Sequence, residues 1–231
     1  MSAPVIQFLF DFISPYAYLA WTQVHAAAER TGAAVEPVPV LFAGLLDANG
    51  QKGPAEIPSK RIYIFKDVLR RARRLGVPLS PPPTHPFNTL LSLRAVSMQA
   101  PGDGRRRLID ALFAATWGGG RGVEGPAEVA AAAAAAGLDG AAVVLEAGSP
   151  EAKARLREQT EGALAAGAFG VPTMLVGEEL FWGFETLDLV EAHLRGEAPA
   201  PGEDALIARW RDTPASATRR GLRLPVTGRT G

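Results

Sequence analysis

A chain of 231 residues, 47% hydrophobic and 21% charged, is long enough for one large domain or a domain carrying a sizeable insertion. Its 24 basic residues balance 24 acidic ones, so no overall field draws it to nucleic acid or to an anionic membrane. It has no cysteine, which excludes disulfides, thiolate metal sites and catalysis by a thiol of its own, so any sulfur chemistry needs an imported thiol.

Met1-Ser2-Ala3-Pro4 lacks a basic region and the apolar stretch behind it stops at Asp11, so a signal peptide is not expected. No segment approaches the ~20 apolar residues of a membrane span, and a cytoplasmic protein is expected.

Val5 to Phe10 is an apolar run interrupted only by Gln7 and predicts a buried strand. Ser14-Pro15 then reads as an N-cap followed by proline at the first helical position, opening a helix to about Arg30, before Gly32. Val35 to Val40 predicts a second strand, parallel to the first because a helix connects them. Gly44 to Pro58, rich in Gly, Pro, Asn and Gln, predicts a long loop.

A helix is expected from Ser59 to Arg74. Pro81-Pro82-Pro83 and His85-Pro86 form a rigid extended connector, with His85-Pro86 assigned to helix initiation rather than catalysis. Asn88–Gln99, Arg105–Trp117, Pro126–Ala136, Gly140–Ala147 and Glu151–Ala166 all read as helices parted by Gly or Pro. Strand character returns at Thr173–Val176 and Glu179–Trp182, joined by Gly177-Glu178 as a hairpin, and Thr186–Arg195 closes with a helix. Beyond Asp212 the Pro-, Arg-, Thr- and Gly-rich tail has little to bury and is expected to be disordered unless docked on a partner subunit.

This order, βαβ, helices, ββα, is that of an α/β thioredoxin-like fold with a large all-helical insertion. Residues 1–44 and 166–200 would form the thioredoxin-like domain, 45–165 the insertion, and 212–231 the tail.

Phe10-Asp11-Phe12-Ile13-Ser14-Pro15-Tyr16-Ala17-Tyr18-Leu19-Ala20 resembles the opening of the 2-hydroxychromene-2-carboxylate isomerases and kappa-class glutathione transferases, which belong to the DsbA-like branch of the thioredoxin superfamily. Gly50 to Pro54 with Ile57 to Arg61, then His85 to Asn88, then Phe169 to Thr173 with Phe181-Trp182-Gly183, match in the same order. The resemblance spans roughly residues 5 to 195. It places Ser14 at the strand-to-helix turn where disulfide oxidoreductases carry Cys-x-x-Cys. A thiol there ionises below the ~8.5 of free cysteine, because the helix N-terminus offers N–H groups and a positive dipole end. The thiol would be that of glutathione, and Ser14 would activate it by hydrogen bonding. A plain helix cap is the alternative reading of Ser14.

The resemblance also implies a cis Val171-Pro172 peptide whose backbone pairs with glutathione as an added strand. A trans proline opening a strand is the alternative. It carries glutathione contacts onto Lys60, onto Gln51 where kappa enzymes have Asn, and onto Thr160 and the segment Trp182, Gly183, Phe184 and Glu185. Phe184-Glu185 replaces an Asn- or Ser-Asp pair of the family. Glu185 can still meet the γ-glutamyl ammonium, while Phe184 removes a hydrogen bond; Glu185 as a mere acidic helix opener is the other reading.

The implied activity is isomerisation, 2-hydroxychromene-2-carboxylate interconverting with trans-o-hydroxybenzylidenepyruvate through reversible thiolate addition to a conjugated enone. The alternatives are a kappa-like transferase or peroxidase acting on an aromatic or enone electrophile, and a non-catalytic DsbA-like binding module. Related enzymes are dimers, which implies a homodimer. His25, His85 and His193 are too dispersed for a metal site, with His25 and His193 assigned to the surface or its boundary. Gly118 to Gly122 lacks the features of a phosphate loop and reads as a connector. The basic runs Arg70 to Arg74 and Arg105 to Arg107 read as solvated helix faces.

Overall fold

The computed structural model describes residues 3–216. Strand β1 (Val5–Phe10) leads to α1 (Pro15–Thr31) and β2 (Ala34–Pro39). Then come α2 (Phe42–Ala48), a 3-10 turn (Pro54–Glu56), α3 (Pro58–Leu75), α4 (Leu90–Met98), α5 (Asp103–Trp117), α6 (Pro126–Ala135), α7 (Gly140–Ala147) and α8 (Pro150–Ala165). Strands β3 (Thr173–Val176) and β4 (Glu179–Trp182), a 3-10 turn (Phe184–Thr186), α9 (Leu187–Leu194) and α10 (Glu203–Arg211) complete it. The sheet order is β2-β1-β3-β4. The β1–β2 pair is parallel, as its connecting helix requires, and β3 runs antiparallel to both β1 and β4. This is the DsbA-like thioredoxin fold that the element order predicted.

Central β1 is covered on both faces, which is why its sequence reads as a nearly continuous apolar run. Phe8, Phe10 and Phe12 are fully buried. They meet Trp21 of α1 and Phe113 of α5, with ring centroids 5.3 Å apart for Phe10–Phe12 and 4.8 Å for Phe12–Phe113. Apolar burial and edge-to-face aromatic contact thus bind the helices from the middle of the chain to the sheet. Across the sheet a smaller cluster joins Leu9, Val40, Leu45, Ala163, Val171 and Leu175.

Three expectations change. The segment Gly44 to Pro58 is not all loop: α2 runs to Ala48 because Leu45 and Leu46 are buried, and a 3-10 turn follows. The boundary at residues 44 and 45 therefore falls inside α2. Arg105 is not solvated but 6% exposed, paired with Glu36 at 2.8 Å and donating to the Pro37 carbonyl, so it staples α5 to β2. An additional helix, α10, has no buried residue, and its boundaries carried no apolar stripe facing a core. The expected disordered tail lies mostly outside the described residues, of which Asp212 to Ser216 form its start.

Replacing Arg105 with Met strands the Pro37 carbonyl and should cost about 2 kcal/mol in urea unfolding. Arg106→Met, on the exposed side of the same turn, should change stability by less than ~0.5 kcal/mol. Equal effects of the two would remove the staple from this account.

Candidate active site

The site is built on the turn between β1 and α1. Ser14 has extended backbone angles and is 8% exposed, and its Oγ accepts the Ala17 N–H at 3.2 Å, as an N-cap does. Its hydroxyl donates across the chain to the Val171 carbonyl at 3.4 Å. That bond is long, so the donor is held loosely and is free to turn to a better acceptor. The Val171–Pro172 peptide is cis. Among the described residues the Val171 N–H pairs with no acceptor.

The turn is held from several sides. Asp11, 1% exposed, accepts the N–H groups of Ile13 at 3.1 Å and of Phe42 at 3.0 Å, while its own carbonyl accepts the Ser14 N–H at 3.1 Å. The Phe12 carbonyl takes the Trp117 indole N–H at 2.8 Å, and the Ile13 carbonyl lies 3.0 Å from His85 Nε2. His85 stacks edge-on to Trp117. Burial, then Arg61, lowers its pKa, so the neutral ring donates from Nε2. His85 thus braces the turn, which corrects its assignment to helix initiation; the His85–Pro86 peptide is also cis.

On the other flank, Tyr16 donates its hydroxyl to Asp67 of α3 at 2.7 Å, and Arg71 Nε donates to the same oxygen at 2.6 Å. The Arg71 guanidinium lies 5.9 Å from the Tyr16 ring centroid and 5.6 Å from that of Phe184. Burial, reinforced by Asp67, pushes the Tyr16 phenol up, so it stays protonated. Burial opposes ionisation of Asp67, yet the bonds from Arg71 and Tyr16 bring it below its ordinary value. Arg71 is therefore only partly solvated, 34% exposed, with Asp67 one helical turn away and two rings beside it.

Beyond Pro172, the Gly183 N–H bonds to the Pro172 carbonyl at 2.9 Å and ties Phe184 and Glu185 to the same region. Gly183 has φ 101, a left-handed conformation that favours glycine, and the flexible Glu185 carboxylate lies against it. Trp182 is 50% exposed and packs tilted against Phe169, centroids 5.0 Å apart, with its indole beside Gly170.

Of the residues expected from sequence, Ser14, Val171 and Pro172 meet directly, and Gly183, Phe184 and Glu185 join through Pro172, Tyr16 and Arg71. The Thr160 hydroxyl donates to the Leu156 carbonyl and accepts the Leu41 N–H at 3.0 Å, locking α8 to the end of β2. Gln51 and Lys60 are exposed, and among the described residues neither side chain makes a hydrogen bond. Asp11, Tyr16, Asp67, Arg71, His85 and Trp117 were not singled out as site residues; Asp11, Tyr16 and His85 lie in segments that carry the resemblance, and Asp67 and Arg71 have i,i+4 spacing. Among the described residues no group of three or more acidic or histidine side chains is placed to hold a metal ion. Among the described residues no helix is long and apolar enough to cross a membrane.

A helix N-terminus, a hydroxyl donor and an open backbone edge suit an anion carried on an extended peptide. The family model of the DSBA-like thioredoxin domain matches residues 5–195. The chain is 31% identical over 192 residues to a 2-hydroxychromene-2-carboxylate isomerase of Sphingobium xenophagum, covering 82% of this chain and 97% of that one. It is 27% identical over 208 residues to glutathione S-transferase kappa 1 of Rattus norvegicus, covering 84% and 91%. A solved 2-hydroxychromene-2-carboxylate isomerase structure superposes with a TM-score of 0.74 at 26% identity, over 90% of this chain and 98% of that one.

Burial, partly offset by the Phe42, Ile13 and Thr89 hydrogen bonds, raises the Asp11 pKa from 3.8 to about 6. The folded state thus holds this proton more tightly than the unfolded chain. Its stabilisation is complete below about 3.8 and disappears as pH rises through about 6, in all about 3 kcal/mol. Asp11→Asn cannot ionise, so its unfolding free energy should lose that fall between about pH 4 and 7; urea titrations showing the wild-type slope retained would remove Asp11 as its source.

Proposed function

The chain belongs to the DSBA-like thioredoxin domain family, in the branch of the 2-hydroxychromene-2-carboxylate isomerases and kappa-class glutathione transferases, and we propose that it is a glutathione-dependent isomerase of conjugated enones. The observation that carries this reading is the Ser14 hydroxyl, poised at the N-terminus of α1 and loosely bonded to the carbonyl of a cis Val171–Pro172 peptide, in a chain without cysteine. The donor set suits the group: one hydroxyl for the sulfur, and a free Val171 N–H for the peptide. When bound, glutathione supplies a thiolate that adds reversibly to the enone, turns its double bond into a rotatable single bond and leaves unchanged.

The chain's own residues bind, orient and polarise. Ser14 turns its hydroxyl from the Val171 carbonyl to the sulfur, and the α1 dipole favours the anionic form. Val171 aligns the tripeptide by backbone pairing, which fixes the direction of attack. Asp11, His85 and Trp117 hold the turn rigid, so no reorganisation accompanies catalysis. Gln51 and Lys60 are free to contact the tripeptide. The electrophile lies between the turn from Ser14 to Tyr18, the segment from Phe42 to Pro58 and the neighbouring helices. The likeness to a kappa-class transferase supports a second reading, conjugation without return of the thiol, and a stable glutathione conjugate among the products would favour it.

Purified protein should interconvert 2-hydroxychromene-2-carboxylate and trans-o-hydroxybenzylidenepyruvate only when glutathione is present, followed by absorbance. Ser14→Ala should lower kcat roughly 10- to 100-fold, the worth of a hydrogen bond to a charged group, and cost about 1 kcal/mol of stability as a lost cap. Turnover that is independent of glutathione would overturn the reading.

A further inference from the structure

The region matched by the family model ends at residue 195, and α10 lies past it. Its nine residues make about 14 Å of helix, a length that is marginal in water unless one face is buried. No residue of α10 is buried. Among the described residues, the hydrogen bonds that close its ends stay between Ala200 and Thr213. Glu203 takes the Ala200 N–H at 2.9 Å, and the Thr213 hydroxyl donates to the Arg209 carbonyl at 2.9 Å. The helix is tied off at both ends and left without a core.

Its side chains are sorted all the same. Leu206, Ile207 and Trp210 are spaced i, i+1, i+4, which puts them on one face, and all three are exposed, Trp210 by 78%. Arg209 and Arg211 flank Trp210 on the two sides of that face. Glu203, one turn before Ile207, has its carboxylate on the backbone, and Asp204 shares that first turn, away from Trp210. After Asp212 the sequence holds four arginines, Arg219, Arg220, Arg223 and Arg229, and no acidic residue. The chain as a whole has no net charge, so this positive charge is local to its C-terminal end.

A second copy of the chain is a poor occupant for such a face. It would set one basic segment against another, and three side chains on so short a helix fall well below the roughly 1,200 Å² that a stable protein interface buries. An anionic lipid surface needs only a short apolar stripe, favours tryptophan at the level of the head groups and attracts each arginine that reaches it. We propose that α10, with the basic segment after it, docks this protein on an anionic lipid surface. Leu206, Ile207 and Trp210 enter the head-group boundary, and the arginines meet the lipid phosphates. The helix lies in the plane of the interface, being far shorter than the ~20 residues of a span. None of the hydrogen bonds that brace the thiol turn involves α10, so docking leaves that site as it is.

The test is co-sedimentation of the full chain with two sets of vesicles, phosphatidylcholine alone and phosphatidylcholine with an equal part of phosphatidylglycerol. Binding to the anionic set should be roughly tenfold or more the tighter, and about 0.5 M salt should remove most of the difference. Trp210→Ala, at a position too exposed to matter to folding, should weaken anionic binding about tenfold. A chain ended at Ala198 should keep its unfolding midpoint and stay in the supernatant. Equal binding to both vesicle sets, or anionic binding that survives the truncation, overturns the proposal. A Trp210→Ala chain that binds as the wild type does reduces the attachment to charge alone and removes α10 from it. Light scattering without vesicles that finds a dimer for the full chain and a monomer for the truncated one gives the face to a second copy and overturns the proposal as well. Tighter binding to duplex DNA than to the anionic vesicles does the same in favour of nucleic acid.

Discussion

Asp11 is a carboxyl group almost without water around it, and the geometry of the site depends on where its acceptors point. One oxygen holds the Ile13 N–H and the other the Phe42 N–H, while its main-chain carbonyl holds the Ser14 N–H. A strand cannot pass straight into a helix without leaving backbone donors unpaired, and in a buried turn each would cost about 1 to 3 kcal/mol. Asp11 removes that cost at the end of β1 and at the start of α2 together. The consequence is that Ser14 sits at a helix start with its hydroxyl aimed across the fold at Val171. Burying a carboxyl is itself unfavourable, which is why its pKa rises; the fold accepts an unfavourable charge to define a turn.

Around that turn the remaining contacts converge from elements far apart in the chain. Trp117 arrives from the end of α5, His85 from the proline-rich connector, and Val171 from the approach to β3. Each satisfies or engages a polar group that the turn would otherwise leave open. The opposite flank is organised by α3, whose Asp67 accepts from both Tyr16 and Arg71. The site therefore lies between a rigid wall of buried hydrogen bonds and a half-exposed wall of aromatic rings and charge. Under the proposed function, a hydroxyl that meets a developing charge gains from the rigidity of the first wall.

A solved 2-hydroxychromene-2-carboxylate isomerase shares the overall fold, and the first strand, the Ser-Pro turn and the segment around Val171–Pro172 are among the stretches that carry the resemblance. Phe184-Glu185 is where this chain differs from the family pattern noted above. In isolation that change removes a polar contact. In the folded chain it adds an aromatic ring whose centroid lies 5.6 Å from the guanidinium of Arg71, on a distant helix. The loss and the gain are visible only together.

Much of the fold was legible in the sequence because its signals are local. Ser14-Pro15 announces a cap, Gly32 with φ 67 ends the helix as its place after Arg30 and Thr31 predicts, and Gly177-Glu178 marks a hairpin between two short apolar runs. Those features depend on backbone sterics and on hydrogen bonds between neighbours, which a sequence carries in full. The absence of cysteine likewise decided that the chain has no thiol of its own. What tertiary structure alone decided is which polar side chains are removed from water and by whom. Arg105 and Arg106 are adjacent in one basic run, yet one is a buried staple and the other is exposed. Thr160 holds a backbone N–H of residue 41, α2 forms because Leu45 and Leu46 have a core to enter, and Arg71 finds two rings separated from each other by 168 positions in the chain, 184 against 16. Partners so distant in sequence leave no local pattern. Their energies depend on burial and distance, which exist only once the chain has folded.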